Sequence, residues 1–266
     1  MSRENLIWIQ GAGELASGVA LRLVRSGFRL VMAEIANPLA VRRLVSFSEA
    51  VYEGQANVEG EQGVLVERID PSNSQNKIRI VVDPKAEQMA LCSVAAVIDA
   101  RMTKVQPQGL PSGNLFAIGL GPGFLCGRDC DMVVETHRGA RLGEVLKQGG
   151  ALANTGIPGV VGGHSSRRVV YSPGPGKMIP QVKIGDLVSN GQRLGTVSGH
   201  PVVSNLDGMV RGLVHPNAEL SAGEKVADVD PRGHLVDPAQ VTDKSLAVGG
   251  GVLEALLSVG IFPGQD

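Results

Sequence analysis

The residues best suited to chemistry stand where apolar runs break into glycine. Gly11-Ala12-Gly13 follows the run Leu6–Gln10, Ala16 follows in the next turn of chain, and Glu34 ends the second apolar run, Phe28–Ala33. Such a glycine turn lets backbone N–H groups approach a diphosphate at a helix N-terminus, and an acid at the end of the next strand accepts ribose hydroxyls. Ala16 stands where the dinucleotide fingerprint has its third small residue. Glu14, in the first helical turn, suits the helix dipole but puts negative charge beside any bound diphosphate. The same Gly11, Gly13 and Ala16 also serve plain packing of a helix on its strand, so nucleotide binding and scaffold are both open readings.

A second glycine loop, Gly119-Leu120-Gly121-Pro122-Gly123, ends another apolar run, and Arg128 follows it. Backbone N–H groups near a guanidinium suit phosphate or another oxyanion. Cys126 and Cys130 flank Arg128-Asp129 at a spacing one residue longer than Cys-x-x-Cys, with no second pair to complete four metal ligands. No metal site is expected. Packing is the plainer role of both thiols, while an Arg-flanked or helix-terminal Cys126 would have a lowered pKa and react. Among acid–base groups, His137 next to Glu135 is the best candidate.

These residues need elements to hold them. Leu6–Gln10 reads as a buried strand, and Leu15, Val19 and Leu23 share one face of a helix that stops at Gly27. Phe28–Ala33 then completes a βαβ unit. Further strands are expected over Gly63–Arg68, Lys77–Val82, Val94–Ile98, Leu115–Ile118 and Met132–Val134, with helices over Leu39–Phe47 and from Pro84 to about Ser93. In an open parallel sheet ligands lie outside the carboxyl ends of the strands. Those ends would carry Gly11–Gly13, Glu34, Asp83, Asp99, Arg101, the Gly119–Gly123 loop, Glu135, His137 and Arg138.

A chain of 266 residues has room for one large or two modest domains. Its net charge of −1 argues against nucleic acid or an anionic membrane as partner. No stretch is long and apolar enough for a membrane span, and an odd number of cysteines, three, fits a reducing compartment. A soluble cytoplasmic protein is expected.

From Ser172 the chain repeats itself at a fixed offset: Ser172 with Ser204, Gly176 with Gly208, Met178 with Val210, Val182 with Val214, Val188 with Leu220, Gly191 with Gly223, Leu194 with Val226, Val197 with Val229. Two copies of one β unit follow. Ile184–Leu194 and Ser204–Val210 resemble the hammerhead of biotinyl and lipoyl carrier domains, whose modified lysine sits in the hairpin between the halves. Here that hairpin is Ser198-Gly199-His200-Pro201 and holds no lysine, so the resemblance implies the fold without covalent biotin or lipoyl. The expected organisation is α/β: a Rossmann-like parallel-sheet domain over 1–165, a small all-β barrel-sandwich module over 166–233, and a short C-terminal helical segment over 234–266 packing back. Gly249–Gly251 would precede the last helix, Val252–Val259, as a close contact or hinge, and Thr242 could cap it.

Gly11–Gly18, Phe47–Gly54, Gly119–Phe124, Asn154–Gly159 and Gly249–Ala255 together resemble the YqeB family, accessory proteins of selenium-dependent molybdenum hydroxylases. The resemblance covers nearly the whole chain. It implies a maturation factor whose partner is a molybdenum hydroxylase client, with NAD(P) or a molybdopterin-type cofactor in the crevice, and it supplies no catalytic residue. In that reading Gly11, Gly13, Ala16 and Glu34 hold one end of the ligand, Gly119, Gly121, Gly123 and Arg128 hold its anionic groups, and Cys126 or Cys130 handles sulfur or selenium. The alternative is an NAD(P)-dependent oxidoreductase using the same fingerprint. Whether the chain is an enzyme stays open at this point, and a homo-oligomer is compatible with either reading.

Overall fold

Five consecutive buried residues in Leu6–Gln10 make a strand that must be covered on both faces, and it forms the middle of a large sheet. The computed structural model describes residues 6–70, 77–102, 115–153, 163–164 and 166–264, which divide into two units. The motif Asn154–Gly159 and the expected boundary at residue 165 lie outside the described residues.

The first unit comprises residues 1–36, 46–154 and 241–266. Its strands are β1 (Leu6–Gln10), β2 (Arg29–Glu34), β3 (Gln55–Val58), β4 (Glu61–Leu65), β5 (Ile78–Val82), β6 (Val94–Asp99), β7 (Phe116–Leu120), β8 (Met132–Val134) and β9 (Val145–Leu146). Helices are α1 (Glu14–Arg25), α2 (Ala50–Glu53) and α3 (Asp243–Ser258). The nine strands lie in the order β3-β4-β5-β2-β1-β6-β7-β8-β9. Neighbours from β4 to β8 are parallel, and β3 and β9 close the two edges antiparallel. Taking β1, β2 and β5 as first to third and β6, β7 and β8 as fourth to sixth, the parallel core runs 3-2-1-4-5-6, the order of doubly wound sheets. The chain therefore reverses its direction of travel between β1 and β6.

Few helices cover this sheet. One face buries Trp8, Val31, Val81, Val97, Ala117 and Val133 together with Met89, Phe124 and Cys130, which arrive on connecting loops. The helix expected after Pro84 is only a 3-10 turn, Glu87–Leu91: Ala86 sits in the left-handed region, at φ 57°, and Asp83 caps Glu87 and Gln88 instead. Helix α1 ends as its sequence reads. Gly27 takes φ 92°, with the N–H groups of Gly27 and Phe28 donating to Val24 and Leu23.

Helix α3 corrects the reading of the C-terminal glycines. Thr242 is the N-cap, accepting from the Ser245 N–H, and Gly249–Gly251 lie inside the helix rather than before it. They are contact points. A Cβ on Gly249 would lie 2.8 Å from the carbonyl oxygen of Gly18 in α1, and one on Gly18 would lie 2.8 Å from the Ser245 backbone.

The second unit comprises residues 37–45 and 155–240. Residues 37–45 were expected to belong to the first domain as part of a helix. Instead Val41 accepts from the Leu213 N–H at 2.7 Å, Arg43 Nε donates to the Leu213 carbonyl at 2.8 Å, and Asn37 exchanges two hydrogen bonds with the Glu219 backbone. Pairing with a strand has overridden the helical spacing. The strands here are β10 (Val169–Tyr171), β11 (Met178–Pro180), β12 (Leu187–Val188), β13 (Arg193–Val197), β14 (His200–Val203), β15 (Gly208–Leu213) and β16 (Lys225–Asp230). They form one sheet ordered β10-β16-β15-β12 and another ordered β11-β13-β14.

The offset of the repeat relates the hydrogen bonds as well as the letters. Met178 faces Val197, as Val210 faces Val229; Tyr171 faces Lys225, as Val203 faces Arg193. Gly191 N–H donates to Ser204 at 2.8 Å and Gly223 N–H to Ser172 at 2.9 Å. Each half's first strand thus pairs with the other half's last, so neither half completes its sheet alone.

Candidate functional site

At the carboxyl edge of β1 the chain must turn sharply, because β6 ends beside it. Gly11 takes φ 103°, and a Cβ there would lie 3.1 Å from the Ala100 carbonyl, so this glycine answers both a torsion and a close approach. Gly13 differs. It is the N-cap of α1, no side chain caps the helix there, and a Cβ would meet nothing within 4 Å. A side chain at Gly13 would therefore point into open space, at the place where the sheet order reverses and where ligands sit in open α/β sheets. Ala16 is buried and serves packing.

Glu34, at the end of β2, folds back over this turn. Its carboxylate accepts from the Ala12 N–H at 2.7 Å and the Ile35 N–H at 2.8 Å. Burial raises its pKa, and the two backbone bonds work against that rise. The segment after Ser46 joins the same place: Phe47 N–H donates to Ser17 Oγ, and Ser48 N–H to the Ala12 carbonyl, both at 2.8 Å. Tyr52 then lies close enough to Glu49 and Glu34 that burial and their two charges push its phenol up to about 12. Sequence reasoning missed this neighbourhood. Its one signal was the Phe47–Gly54 motif, which has no periodicity to place it.

Lys244 sits in the first turn of α3. Burial, with Arg138 nearby, holds its ammonium below the ordinary lysine range, while Glu14 and Glu135 pull the other way. Nothing in the sequence signals a partnership between residues 14 and 244.

Several rim residues are engaged in holding the fold. Asp99 is buried and pairs with Arg101, whose Nε lies 3.0 Å from Oδ1. Glu135, also buried, accepts from the N–H groups of His137 and Leu152, and His137 itself is exposed. Gln10 ties β1 to the far side of β2 by donating to the Asp83 and Pro84 carbonyls.

The second glycine loop is built for packing. A Cβ on Gly119 would overlap the Phe124 ring, and Gly121, at φ 76°, donates its N–H to the Val134 carbonyl. Gly123 takes φ 99°. Arg128 is paired with Asp129, Nη2 to Oδ2 at 2.7 Å, so its guanidinium is turned to its neighbour. The thiols run against a reactive role. Burial raises Cys126, which donates to the Leu146 carbonyl, and pushes Cys130 up to about 12, with the Cys126, Asp129 and Asp131 charges adding to the rise. Both are thiols rather than thiolates at neutral pH.

Known proteins can be set beside this geometry. Over 263 residues, 96% of the chain, it is 40% identical to the protein described as "Uncharacterized protein YqeB" from Escherichia coli K12. The chain is similar to that protein over nearly all of its own length. It spans about half of that protein, 48% of its length. No family model matches. Among solved structures, an aspartoacylase family protein from Mesorhizobium loti overlaps at a TM-score of 0.27 with 14% identity, covering 84% of each chain. A succinylglutamate desuccinylase/aspartoacylase from Rhodobacter sphaeroides overlaps at 0.26 with 10% identity, covering 86% of each. Overlaps this low carry no argument about fold or chemistry. Among the described residues no helix is long and apolar enough to cross a membrane.

Proposed function

We propose that the crevice at the β1–β6 switch point binds a nucleotide or a pterin-type cofactor, and that the chain acts as an accessory or maturation factor for a selenium-dependent molybdenum hydroxylase. The observation that carries the binding half is Gly13: it heads α1 without a side-chain cap and faces open space, where a ligand's diphosphate could reach the first-turn N–H groups. Gly11 shapes the turn, and Glu34 stands where a ribose would be recognised. An NAD-type ligand would bring hydride chemistry; a carboxylate at this position favours free ribose hydroxyls over a 2′-phosphate. The client half rests on the family resemblance. Sulfur or selenium handling by Cys126 and Cys130 forms no part of the proposal, since burial raises both thiol pKa values and so works against the thiolate.

The β unit is read as a biotinyl/lipoyl-like hammerhead that docks a client rather than carrying a cofactor. Support comes from the reciprocal pairing of its two halves and from a β13–β14 hairpin, Ser198–Pro201, that holds no lysine.

A thermal-shift panel with NAD(H), NADP(H), FAD, ATP and CTP tests the binding half. A ligand at about 100 times its Kd adds roughly 2.7 kcal/mol. Gly13→Val is the matching control: open space around the Cβ predicts no clash, so only the small fall in Tm of a poorer N-cap without ligand, and loss of the ligand-induced shift. No shift with any of these ligands would overturn the nucleotide reading. Steady oxidation of NAD(P)H with a small-molecule acceptor would favour the oxidoreductase alternative over the accessory role.

A further inference from the structure

A turn built on Gly11 and Gly13 has little stiffness of its own, because glycine gives the backbone its widest choice of torsions. The peptides on either side of Ala12 are nevertheless held by three other residues. The Ala12 N–H donates to the Glu34 carboxylate at 2.7 Å. The Ala12 carbonyl accepts from the Ser48 N–H at 2.8 Å and from the Ser17 hydroxyl at 3.1 Å. Ser17 is buried on α1, and its hydroxyl oxygen also accepts from the Phe47 N–H at 2.8 Å. One hydroxyl thus gives its proton to the glycine turn and takes a hydrogen bond from the 3-10 turn Phe47–Glu49. That second turn is itself anchored: Phe47 is buried, and a Cβ on Gly63 of β4 would lie 2.7 Å from its ring. A serine inside a helix ordinarily faces solvent or bonds back to its own helix. Ser17 instead ties α1, the glycine turn and the Phe47 segment together.

We propose that Ser17 is a positioning residue of the crevice: by fixing the Ala12 carbonyl it fixes the turn whose Ala12 N–H holds the Glu34 carboxylate, and so sets that carboxylate for the hydroxyls of a ribose. This rests on the reading of the crevice as a nucleotide site. Each oxygen of Glu34 accepts one backbone N–H, Oε1 from Ile35 and Oε2 from Ala12. Ile35 is the next residue along and moves with Glu34, whereas Ala12 belongs to another segment and gives the carboxylate a fixed direction. Hydrogen bonds weaken steeply with misalignment, so a carboxylate released from that tie discriminates less between sugars. Ser17→Ala removes only the hydroxyl, and alanine is a good helix former.

The test is calorimetric titration of the full chain with ATP and with 2′-deoxy-ATP, for the native protein, Ser17→Ala, Glu34→Gln and the double variant. The deoxy ligand lacks a hydroxyl that donates to the carboxylate, so the native protein should prefer ATP about tenfold. Ser17→Ala should lose most of that preference, whereas a general loss of stability would weaken both ligands alike. In the Glu34→Gln background Ser17→Ala should leave the remaining preference unchanged, because its effect passes through Glu34. Native protein that prefers ATP, with Ser17→Ala preferring it equally, overturns the inference and leaves the nucleotide site standing. Equal native affinity for the two ligands does the same. Binding of neither ligand by the native protein overturns both. Should Ser17→Ala fail to fold, amide hydrogen exchange of the native protein with and without ATP answers the same question. The Ala12 and Phe47 amides must be protected before ATP is added, and protection that arises only with ATP overturns the inference.

Discussion

Gly11, Gly13 and Gly18 lie close together in the chain and have three different reasons to be glycine. Gly11 answers a positive φ and the nearby Ala100 carbonyl, Gly13 faces open space, and Gly18 admits Ser245 of α3. Their substitutions should therefore separate. Gly18→Ala must push α3 away from α1 and should cost about 1 to 3 kcal/mol, a fall in Tm of roughly 2 to 4 °C per kcal/mol for a chain of this size. Calorimetry or circular dichroism melting checks this, and an unchanged Tm would show that the helices have room to part. The sequence displays all three glycines alike. Only the atoms opposite each one distinguish a packing residue from an opening for a ligand.

At the scale of elements, the βαβ unit was legible in detail. β1 covers the residues read as its strand, Glu14 opens α1, and Gly27 closes it. An unbroken apolar run, a glycine turn and an apolar stripe at helical period are local signals, and local signals survive into the fold when nothing competes. Competition explains the failures. Leu39–Phe47 has helical spacing, but pairing of Val41 with Leu213, a partner far along the chain, satisfies its backbone instead. The glycines of α3 read as a break because propensity is a weak prior; packing against Gly18, Gly143 and Val134 outweighs it.

The β repeat makes its own prediction at this scale. Ser172 and Ser204 are both buried, and each donates its hydroxyl to the carbonyl two residues ahead, at 2.6 Å in both cases. Alanine at either position should cost about 1 kcal/mol, and the two costs should match. Chemical denaturation of the two single variants checks it; a markedly unequal pair would mean that the halves share a pattern without sharing a load.

For the whole molecule, acid should act through β16. Burial alone would raise the Asp228 carboxyl, but Lys225 and Arg168 outweigh it and hold the group below its ordinary value. Asp230 is likewise pulled down against burial by Arg232 and Arg211. A carboxylate depressed in the folded state contributes stability that is fully present above its unfolded pKa of about 3.9 and is lost as pH falls through the folded value. The second unit should therefore hold its stability down to about pH 4 and lose it below. Asp228→Asn should flatten that acid limb in a pH series of melts, at a cost of about 3 to 5 kcal/mol near neutrality, because Arg168 is left without its buried partner. A limb unchanged by Asp228→Asn would place the acid sensitivity elsewhere.

What the sequence determined by itself is what neighbours along the chain decide: the β1 turn, the caps of α1, the apolar strands, and a repeat whose period survives in its glycines and serines. Tertiary structure alone decided which strand lies beside which, that residues 37–45 join the second unit, and that Gly119 serves Phe124 and Arg128 serves Asp129. The physical reason is one of range. Torsions, caps and periodic apolar faces are settled among near neighbours, whereas a charge or a pocket belongs to whichever distant segment the packing of the sheet brings next to it.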